Sequence, residues 1–352
     1  MSRRVFLLLP GDPETPTGGY VYARRISQAL RELGWQVELR SLAADFPDPD
    51  AAALEHAHAT LAALPDDSLV LLDGLALGAM PEAVQRHVQR LRLVALVHHP
   101  LALETGLSAV QADKLRKSER DALRCVRRVV VTSHATARLL ADYDVPASAI
   151  TVVCPGCDRA PLAPRRGRAG GIRELLCVAS LTPRKGHTLL LRSLSELQIP
   201  DWRLVCVGST LRHPQFARSI EATISALGLG AKVVLAGALS GPALQQRCLA
   251  ADLFVLPTLY EGYGMVVAEA LSYGLPVIAT ATGAIPELLA DDAGRIVPPG
   301  DFVALREALH ELLCVPGTIA ACAAGAERRR QSLAGWPEQA LQLSRLLQAV
   351  AA

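Results

Sequence analysis

The chain has 352 residues, of which 51% are hydrophobic, and its 36 Lys and Arg nearly balance its 34 Asp and Glu. The length suits two ordinary domains, and a formal net charge of +2 excludes a global basic field for nucleic acid. No apolar run approaches the roughly 18 residues of a membrane span. The opening stretch MSRRVFLLLPGD is too short for a signal peptide and predicts a buried strand. We therefore expect a globular, cytoplasmic protein.

In the first half of the chain, short apolar runs alternate with helix-period segments, which is typical of parallel βαβ units. The first run is followed by YVYARRISQALRELG, which predicts an amphipathic helix ending at Gly34. Six strands are predicted, at VFLLLP, WQVELR, SLVLLD, LRLVALVHH, RRVVVTS and ITVVCP. Residues 1–157 therefore predict one Rossmann-like domain.

A second domain follows a stretch rich in Pro, Gly and Arg, residues 158–171, which has no apolar period and predicts a hinge linker. Six more strands are predicted, at ELLCVAS, WRLVCVGS, KVVLAG, DLFVLP, PVIAT and GRIVPP. Helices are expected from Gly186, up to about Leu227 and near 241–250. Residues 172–335 thus predict a second doubly wound α/β domain, and the amphipathic segment 336–352 could pack back on the first. Two facing domains of this type would bind a ligand in the cleft between them.

The stretch LPTLYEGYGMVVAEALSYGLPVIAT, residues 256–280, joins two predicted strands through a turn and a helix. A helix that starts near Gly264 would direct free amides and a positive dipole end at a ligand. Carboxylates at Glu261 and Glu269 could each accept hydrogen bonds from a diol, of a sugar or of a ribose. The alternative is that Glu261 merely caps the helix.

The E-x7-E spacing of these glutamates resembles the signature of family 4 retaining glycosyltransferases (glycosyl transferases group 1), which have the GT-B fold. Three further stretches resemble segments of the same family, in the same order along nearly the whole chain. They are an N-terminal glycine loop with its helix, a phosphate-binding turn and the segment after E-x7-E, at residues 15–39, 181–194 and 279–301.

This resemblance implies roles for individual residues. Glu261 would lie near the hydroxyls of the donor sugar, Glu269 would hold the nucleotide ribose, and Lys185 would neutralise the diphosphate. His98, at the end of a predicted strand, would face the donor sugar, although a lone histidine there is more often structural. Catalytic roles are expected for His98, Lys185 and Glu261. The other implied donor-binding residues are Gly18, Gly19, Arg184, Gly208, Gly237, Gly262, Tyr263, Gly264, Met265 and Val266.

One position departs from the family pattern. Ser180 stands where the family often has an arginine that contacts phosphate. Arg184 is the obvious substitute, but it could equally be a solvated turn charge. Lys185 is one of only four lysines in a chain rich in arginine and alanine, a composition typical of a GC-rich bacterium.

The acceptor side is less defined. Asp73, His99 and Glu104 fall near the same predicted rim as His98 and are candidate acceptor contacts. A helix over 114–128 would place Lys117, Arg120, Arg124 and Arg128 near one face. That face could contact anionic lipid or could simply be solvated. A second basic cluster, Arg165, Arg166 and Arg168, falls in the linker.

We predict no metal site. Asp48-Pro-Asp50 matches a D-x-D motif, but it lies in a Pro-rich loop where Asp50 is better interpreted as a helix N-cap. His56 and His58, beside Glu55, lie two apart on a helix and would point in different directions. Cys154-Pro-Gly-Cys157 has neither a second pair for zinc nor a helix start for redox chemistry.

The combined prediction is a retaining, metal- and cofactor-independent glycosyltransferase of hexosyltransferase type. The donor is expected to be a UDP- or GDP-sugar, and the acceptor a glycan, lipid or small molecule, with no nucleic acid partner. An internal-return mechanism is what the resemblance implies. The alternatives are a nucleotide-sugar epimerase, a phosphorylase or a non-catalytic sugar-nucleotide binding protein. Location is expected to be cytoplasmic, with peripheral contact at the inner membrane face as an option.

Overall fold

The computed structural model describes residues 3–15, 17–104, 106–164, 173–198, 202–289 and 292–352. The chain divides into two compact units. The first unit comprises Met1–Gly156 and Ala334–Ala352, and the second comprises Cys157–Leu333. Residues 158–164 have no regular secondary structure, and the linker arginines Arg165, Arg166 and Arg168 lie outside the described residues.

The first unit contains a six-stranded parallel sheet in the order β2-β1-β3-β4-β5-β6. Its strands are β1 Arg4–Pro10, β2 Gln36–Leu42, β3 Leu69–Asp73, β4 Arg92–Val97, β5 Arg128–Val131 and β6 Ile150–Val152. Its helices are α1 Gly18–Glu32, α2 Ala51–Ala62, α3 Gly74–Leu77, α4 Pro81–His87, α5 Ala109–Leu123, α6 His134–Leu139 and α14 Trp336–Ala351.

The second unit repeats this plan with the order β12-β11-β10-β7-β8-β9, again all parallel. Its strands are β7 Arg173–Val178, β8 Trp202–Val207, β9 Val233–Leu235, β10 Leu253–Leu256, β11 Val277–Thr280 and β12 Gly294–Val297. Its helices are α7 His187–Ser195, α8 Pro214–Ala226, α9 Gly241–Ala250, α10 Met265–Ser272, α11 Ile285–Leu289, α12 Phe302–Cys314 and α13 Thr318–Arg330. All twelve predicted strands are confirmed.

The strands form where the sequence carries unbroken apolar runs, because helices cover both faces of a parallel sheet. Every residue of β3, β10 and β11 is buried. Since all strands of a sheet run the same way, their carboxyl ends and the loops that follow them lie along one edge. The fold thereby collects the loops after β7, β10 and β11 in one unit, and those after β3 and β4 in the other.

Helix α14 packs against α1 within the first unit. The Trp336 ring meets the Tyr22 ring edge-on, with 5.8 Å between centroids. The indole of Trp35, which follows α1, donates a hydrogen bond to the Ser344 hydroxyl at 2.9 Å. The last sixteen-residue helix is therefore part of the first core rather than of the unit that precedes it in the chain.

The helix predicted over residues 114–128 ends earlier than expected, because α5 ends at Leu123 and Arg128 begins β5, so Arg128 is not part of the basic face. Acidic partners also offset much of the charge of the remaining basic residues. Lys117 pairs with Asp113 at 2.8 Å, and Arg124 pairs with Asp144 at 2.9 Å. Arg120 also lies 3.9 Å from the Asp144 carboxylate. The face is therefore less positive than its sequence indicates.

No single helix among the described residues is long and apolar enough to cross a membrane. Helices α12 and α13 together reach the required length and composition, but they are bent by 99° where they join.

The contact between His58 on α2 and His87 on α4 indicates that the free energy of unfolding depends on pH. His87 is buried at the end of α4, and its Nε2 lies 3.1 Å from His58 Nδ1, while Arg90 Nε donates to its Nδ1 at 3.0 Å. Burial, Arg90 and His58 hold the pKa of His87 below its usual value.

Because the unfolded chain then binds the proton more readily, stability should be full above about pH 6.5 and fall as the pH drops below it. The contribution of His87 should be at most about 1.4 kcal/mol per pH unit. Urea unfolding between pH 5 and 8 should show this loss in the wild-type protein and a flatter profile in His87→Gln. Parallel profiles would contradict the assignment.

Candidate functional site

A tight turn follows β7 at the carboxyl edge of the second sheet. It consists of the 3-10 turn Pro183–Lys185 and Gly186, whose φ is +74°. A Cβ on Gly186 would lie 1.9 Å from the carbonyl oxygen of Pro257, so only glycine fits where this turn meets the end of β10. The Leu259 amide also donates to the Arg184 carbonyl at 2.7 Å. Sheet order and backbone contact therefore bring residues far apart in sequence together.

An ion cluster occupies this junction. Lys185 Nζ lies 2.5 Å from Glu261 Oε2, and Arg184 Nη1 lies 3.9 Å from the same oxygen. The Arg184 guanidinium also donates to the Tyr260 carbonyl at 2.6 Å. The three charged side chains are only 15–25% exposed. Two cations and one carboxylate thus form a partly buried site that is suited to a ligand with both phosphate and hydroxyl groups.

The loop that carries Glu261 is held by the turn after β11. The Glu261 amide donates to the Thr282 hydroxyl at 3.2 Å, and the Ala284 amide donates to the Gly262 carbonyl at 3.1 Å. Helix α10 then begins at Met265, after Gly264 in a left-handed conformation. The first-turn amides of a helix have no intrahelical acceptor, so Met265 and Val266 are available for an anion.

The remaining predicted donor-binding residues of this unit lie on α10 or on loops that follow the strands. Glu269 is exposed on α10, and the Tyr263 ring packs against the core. The Gly208 amide donates to the Gly237 carbonyl at 2.8 Å, which ties the loops after β8 and β9 together. Ser180, at the position of the missing arginine, is partly buried just after β7.

The first unit brings His98 against the glycine loop. The ring of His98, after β4, meets the Tyr22 ring edge-on at 5.3 Å, and its Nε2 lies 3.6 Å from Asp73 Oδ2. A Cβ on Gly19 would lie 3.5 Å from the same nitrogen. His98 Nε2 is buried and has no hydrogen-bond partner among the described residues. Gly18 and Gly19 form the first turn of α1, whereas the sequence predicts a loop there with the helix starting after them.

The candidate acceptor residues have structural contacts of their own. Asp73 caps α3 by accepting from the Leu75 amide at 2.9 Å. His99 Nε2 lies 2.6 Å from Glu104 Oε1, so these two form a pair. Asp73 therefore lies near His98, and His99, the next residue in the chain, pairs with Glu104. An acceptor role for these three residues stays a prediction.

The residues set aside in the sequence have structural roles. Asp50 is confirmed as an N-cap, accepting from the Ala53 amide at 2.7 Å. His56 is exposed, whereas His58 contacts His87. The eight cysteines are free, and no group of three or more metal-ligating side chains occurs within the described ranges.

Sequence reasoning missed two residues that contact candidate side chains or the backbone that carries them, one in each unit. Tyr22 is fully buried, contacts His98 and donates to the Val153 carbonyl at 3.1 Å. Burial raises the pKa of its phenol, so it stays neutral. Thr282 orients the Glu261 amide, and its only signal in the sequence is its place beside Gly283 after a predicted strand.

Two family models together match most of the chain. Glycosyltransferase Family 4 matches residues 16–160, and Glycosyl transferases group 1 matches residues 161–329. The chain is 28% identical over 334 residues to MMP alpha-(1->4)-mannosyltransferase of Mycolicibacterium hassiacum, which covers 90% of this chain and 79% of that protein.

A second relative is GDP-mannose-dependent alpha-(1-6)-phosphatidylinositol monomannoside mannosyltransferase of Mycolicibacterium smegmatis. It is 30% identical over 227 residues, covering 59% of this chain and 58% of that protein. The solved structure of sucrose-phosphate synthase from Thermosynechococcus elongatus matches with a TM-score of 0.82 at 23% identity, covering 99% of both chains. The two matched family models and the shared fold show that the chain belongs to the family 4 (group 1) glycosyltransferases, which have the GT-B fold and transfer sugars from nucleotide-sugar donors.

Proposed function

We propose that the second unit binds the nucleoside-diphosphate sugar and that the first unit supplies the acceptor side. The observation that carries this proposal is the cluster of Lys185, Arg184 and Glu261 beside the start of α10. Cations and helix amides suit the diphosphate, and the carboxylate suits the sugar hydroxyls. Glu269 is assigned to the ribose, and the linked loops of Gly208 and Gly237 to the base.

Catalysis in this proposal is mainly electrostatic. Negative charge grows on the diphosphate as its bond to the sugar breaks, and Lys185 with the amides of Met265 and Val266 stabilises that charge. In the free protein Lys185 is paired with Glu261. Binding of the donor replaces this ion pair by two contacts, one between Lys185 and the diphosphate and one between Glu261 and the sugar hydroxyls. The departing phosphate then takes the acceptor proton on the same face, which retains the anomeric configuration. His98 is assigned to the donor sugar.

The donor we propose is GDP-mannose, because the name of one relative specifies it and another relative is named as a mannosyltransferase. The acceptor we propose is a glycan or glycolipid, since the name of one relative specifies a phosphatidylinositol mannoside. We further propose a cytoplasmic location with peripheral membrane contact through α5. The support for this contact is that basic side chains of α5 remain exposed although acidic partners offset part of their charge.

A thermal-shift panel of UDP-, GDP- and ADP-sugars tests donor binding, because a ligand that binds only the folded state stabilises it by RT ln(1 + [L]/Kd). We expect GDP-mannose to raise Tm most, by the equivalent of about 2.7 kcal/mol at a hundredfold excess over Kd. Lys185→Ala is the matched control and should abolish most of the shift. Failure of every sugar nucleotide to stabilise the folded wild-type protein would contradict the proposal.

Arg184→Ala should lower turnover about 10-fold or more, because its guanidinium fixes the Tyr260 carbonyl next to Glu261. Arg184→Lys should recover part of the loss through charge alone. Arg192→Ala, an exposed arginine on α7, is the control and should behave as wild type. Initial rates of nucleotide release decide the comparison, and equal rates for Arg184→Ala and Arg192→Ala would mean that Arg184 is only a surface charge.

Glu269→Gln should weaken donor binding more than it slows the chemical step, because a ribose contact is nearly the same in the ground and transition states. The exposed position of Glu269 on α10 predicts little loss of stability. Steady-state kinetics should therefore show a raised KM for donor with a nearly unchanged kcat. An unchanged KM with a collapsed kcat would show that the ribose assignment is wrong.

A further inference from the structure

Glu119 is a buried carboxyl in one of the most highly charged segments of the chain. Half of its neighbours in KLRKSERDALRCVRR are basic, yet Glu119 is 0% exposed and lies on the inner face of α5 with Ala122 and Leu123. Its Oε2 accepts a hydrogen bond from the Leu101 amide at 2.9 Å. Its Oε1 is buried without a hydrogen-bond partner among the described residues. A buried carboxyl with one oxygen left without a hydrogen bond lowers the stability of the fold. Packing alone therefore does not explain why a glutamate occupies this position.

The protonation state of Glu119 fits a role that needs no charge. Burial raises the pKa of the Glu119 carboxyl to about 8, although the bond from the Leu101 amide opposes that rise. At neutral pH the group is therefore mainly a neutral acid. It can hold an amide in an apolar setting without a counter-ion.

The Glu119 side chain lies where two loops of the first unit meet. A Cβ on Gly78 would lie 2.7 Å from Leu101 Cδ1 and 3.1 Å from Glu119 Cβ. The side chains of Leu101 and Glu119 therefore occupy space that is free only because residue 78 is a glycine. Gly78 ends α3, the helix that Asp73 begins. Leu101 belongs to the segment that follows β4 and carries His98.

Two anchors hold that segment on either side of His99 and Pro100. The His98 carbonyl accepts hydrogen bonds from the hydroxyls of Thr132 at 3.3 Å and Thr136 at 3.2 Å. Three residues later the Leu101 amide is held by Glu119. Because the two anchors lie only three residues apart, we expect the placement of the imidazole against Gly19 to depend on both.

We propose that Glu119 is a positioning residue, which holds His98 and the His99–Glu104 pair in place through the Leu101 amide. The inference rests on the role proposed above for His98. Glu119 itself touches neither donor nor acceptor in this assignment. Its effect is expected on the chemical step and not on donor affinity, which the second unit determines.

The test compares Glu119→Gln, which keeps an oxygen for the Leu101 amide, with Glu119→Met, which keeps the length of the side chain but removes the acceptor. Amide hydrogen exchange over residues 98–104 should speed up about 10-fold or more in the Met variant and stay near wild type in the Gln variant. Hydrolysis of GDP-mannose without acceptor should show kcat lowered on the order of 10- to 100-fold in the Met variant. The KM for GDP-mannose should stay within about twofold, and Gln should restore kcat.

Equal exchange and equal kcat in the Met variant and the wild type would overturn the proposal, and so would equal losses in Gln and Met. If Glu119→Met does not fold, Gly78→Ala takes its place, because the added methyl disturbs the same contact while Glu119 is retained; wild-type exchange over 98–104 in that variant would also overturn the proposal. If no sugar nucleotide stabilises the wild-type protein, the proposed function fails separately, and the exchange data still decide whether Glu119 holds the segment.

Discussion

Lys185→Ala is expected to lower turnover by about 10² to 10³ while leaving the free energy of unfolding nearly unchanged. The charge of Lys185 acts where negative charge develops on the leaving diphosphate, in a site that is only partly open to water. Losses of this size follow the removal of one preorganised donor from a comparable anion site. The lysine lies on a polar turn, so truncation opens no core cavity.

The ion pair adds one consequence for the same variant. Without Lys185, the Glu261 carboxylate loses the cation that lies 2.5 Å away, and Arg184 lies farther off at 3.9 Å, so the position of the carboxylate should loosen and donor affinity should fall as well. Single-turnover kinetics separate the two effects by giving binding and chemistry independently. Lys114→Ala, an exposed lysine in the first unit, is the matched control. A folded Lys185→Ala protein with the wild-type rate would remove the phosphate site from the mechanism.

His98→Ala is expected to reduce kcat about 10²-fold with donor binding largely retained. The imidazole Nε2 is buried and without a hydrogen-bond partner among the described residues, which leaves it available for a ligand hydroxyl. An interaction of this kind that strengthens in the transition state is lost mainly from kcat. Because Lys185 and Glu261 are untouched, GDP-mannose should still raise Tm.

If His98 has only a structural role, the opposite result is expected. Its contacts with Tyr22 and Asp73 would then matter for packing, and the variant would lose stability without a specific loss of kcat. His56→Ala, on the exposed face of α2, controls for loss of an imidazole as such. A kcat that equals that of His56→Ala, once corrected for the folded fraction, would remove His98 from the site.

The strands were predictable because a parallel sheet covered on both faces needs continuous apolar runs, and few other structures produce them at this spacing. The short helices α3 and α11 were not, because four or five residues carry too little periodicity to be recognised. The cis peptide before Pro47 likewise has no local signal in the sequence.

The candidate site was predictable only in its parts. Lys185 and Glu261 are 76 positions apart, and no spacing rule in the sequence places their side chains 2.5 Å apart. The sheet order does so by setting β7 beside β10. The sequence could not decide whether Arg184 belongs to the site or is a solvated charge, because its partner is the backbone carbonyl of Tyr260. Every residue has such a carbonyl, so the sequence does not indicate this contact. Glu119 was hidden because its charged neighbours suggest a solvated helix.

The close approach of Gly186 to the end of β10 bears on how a ligand is received. The turn is held by a backbone contact that no other residue permits and by the hydrogen bond from the Leu259 amide. Its shape therefore comes from folding and does not wait for a substrate. Loops that must be ordered by their ligands lose affinity to that ordering. Here that entropy is lost once, when the chain folds, and it is not lost again in each catalytic cycle.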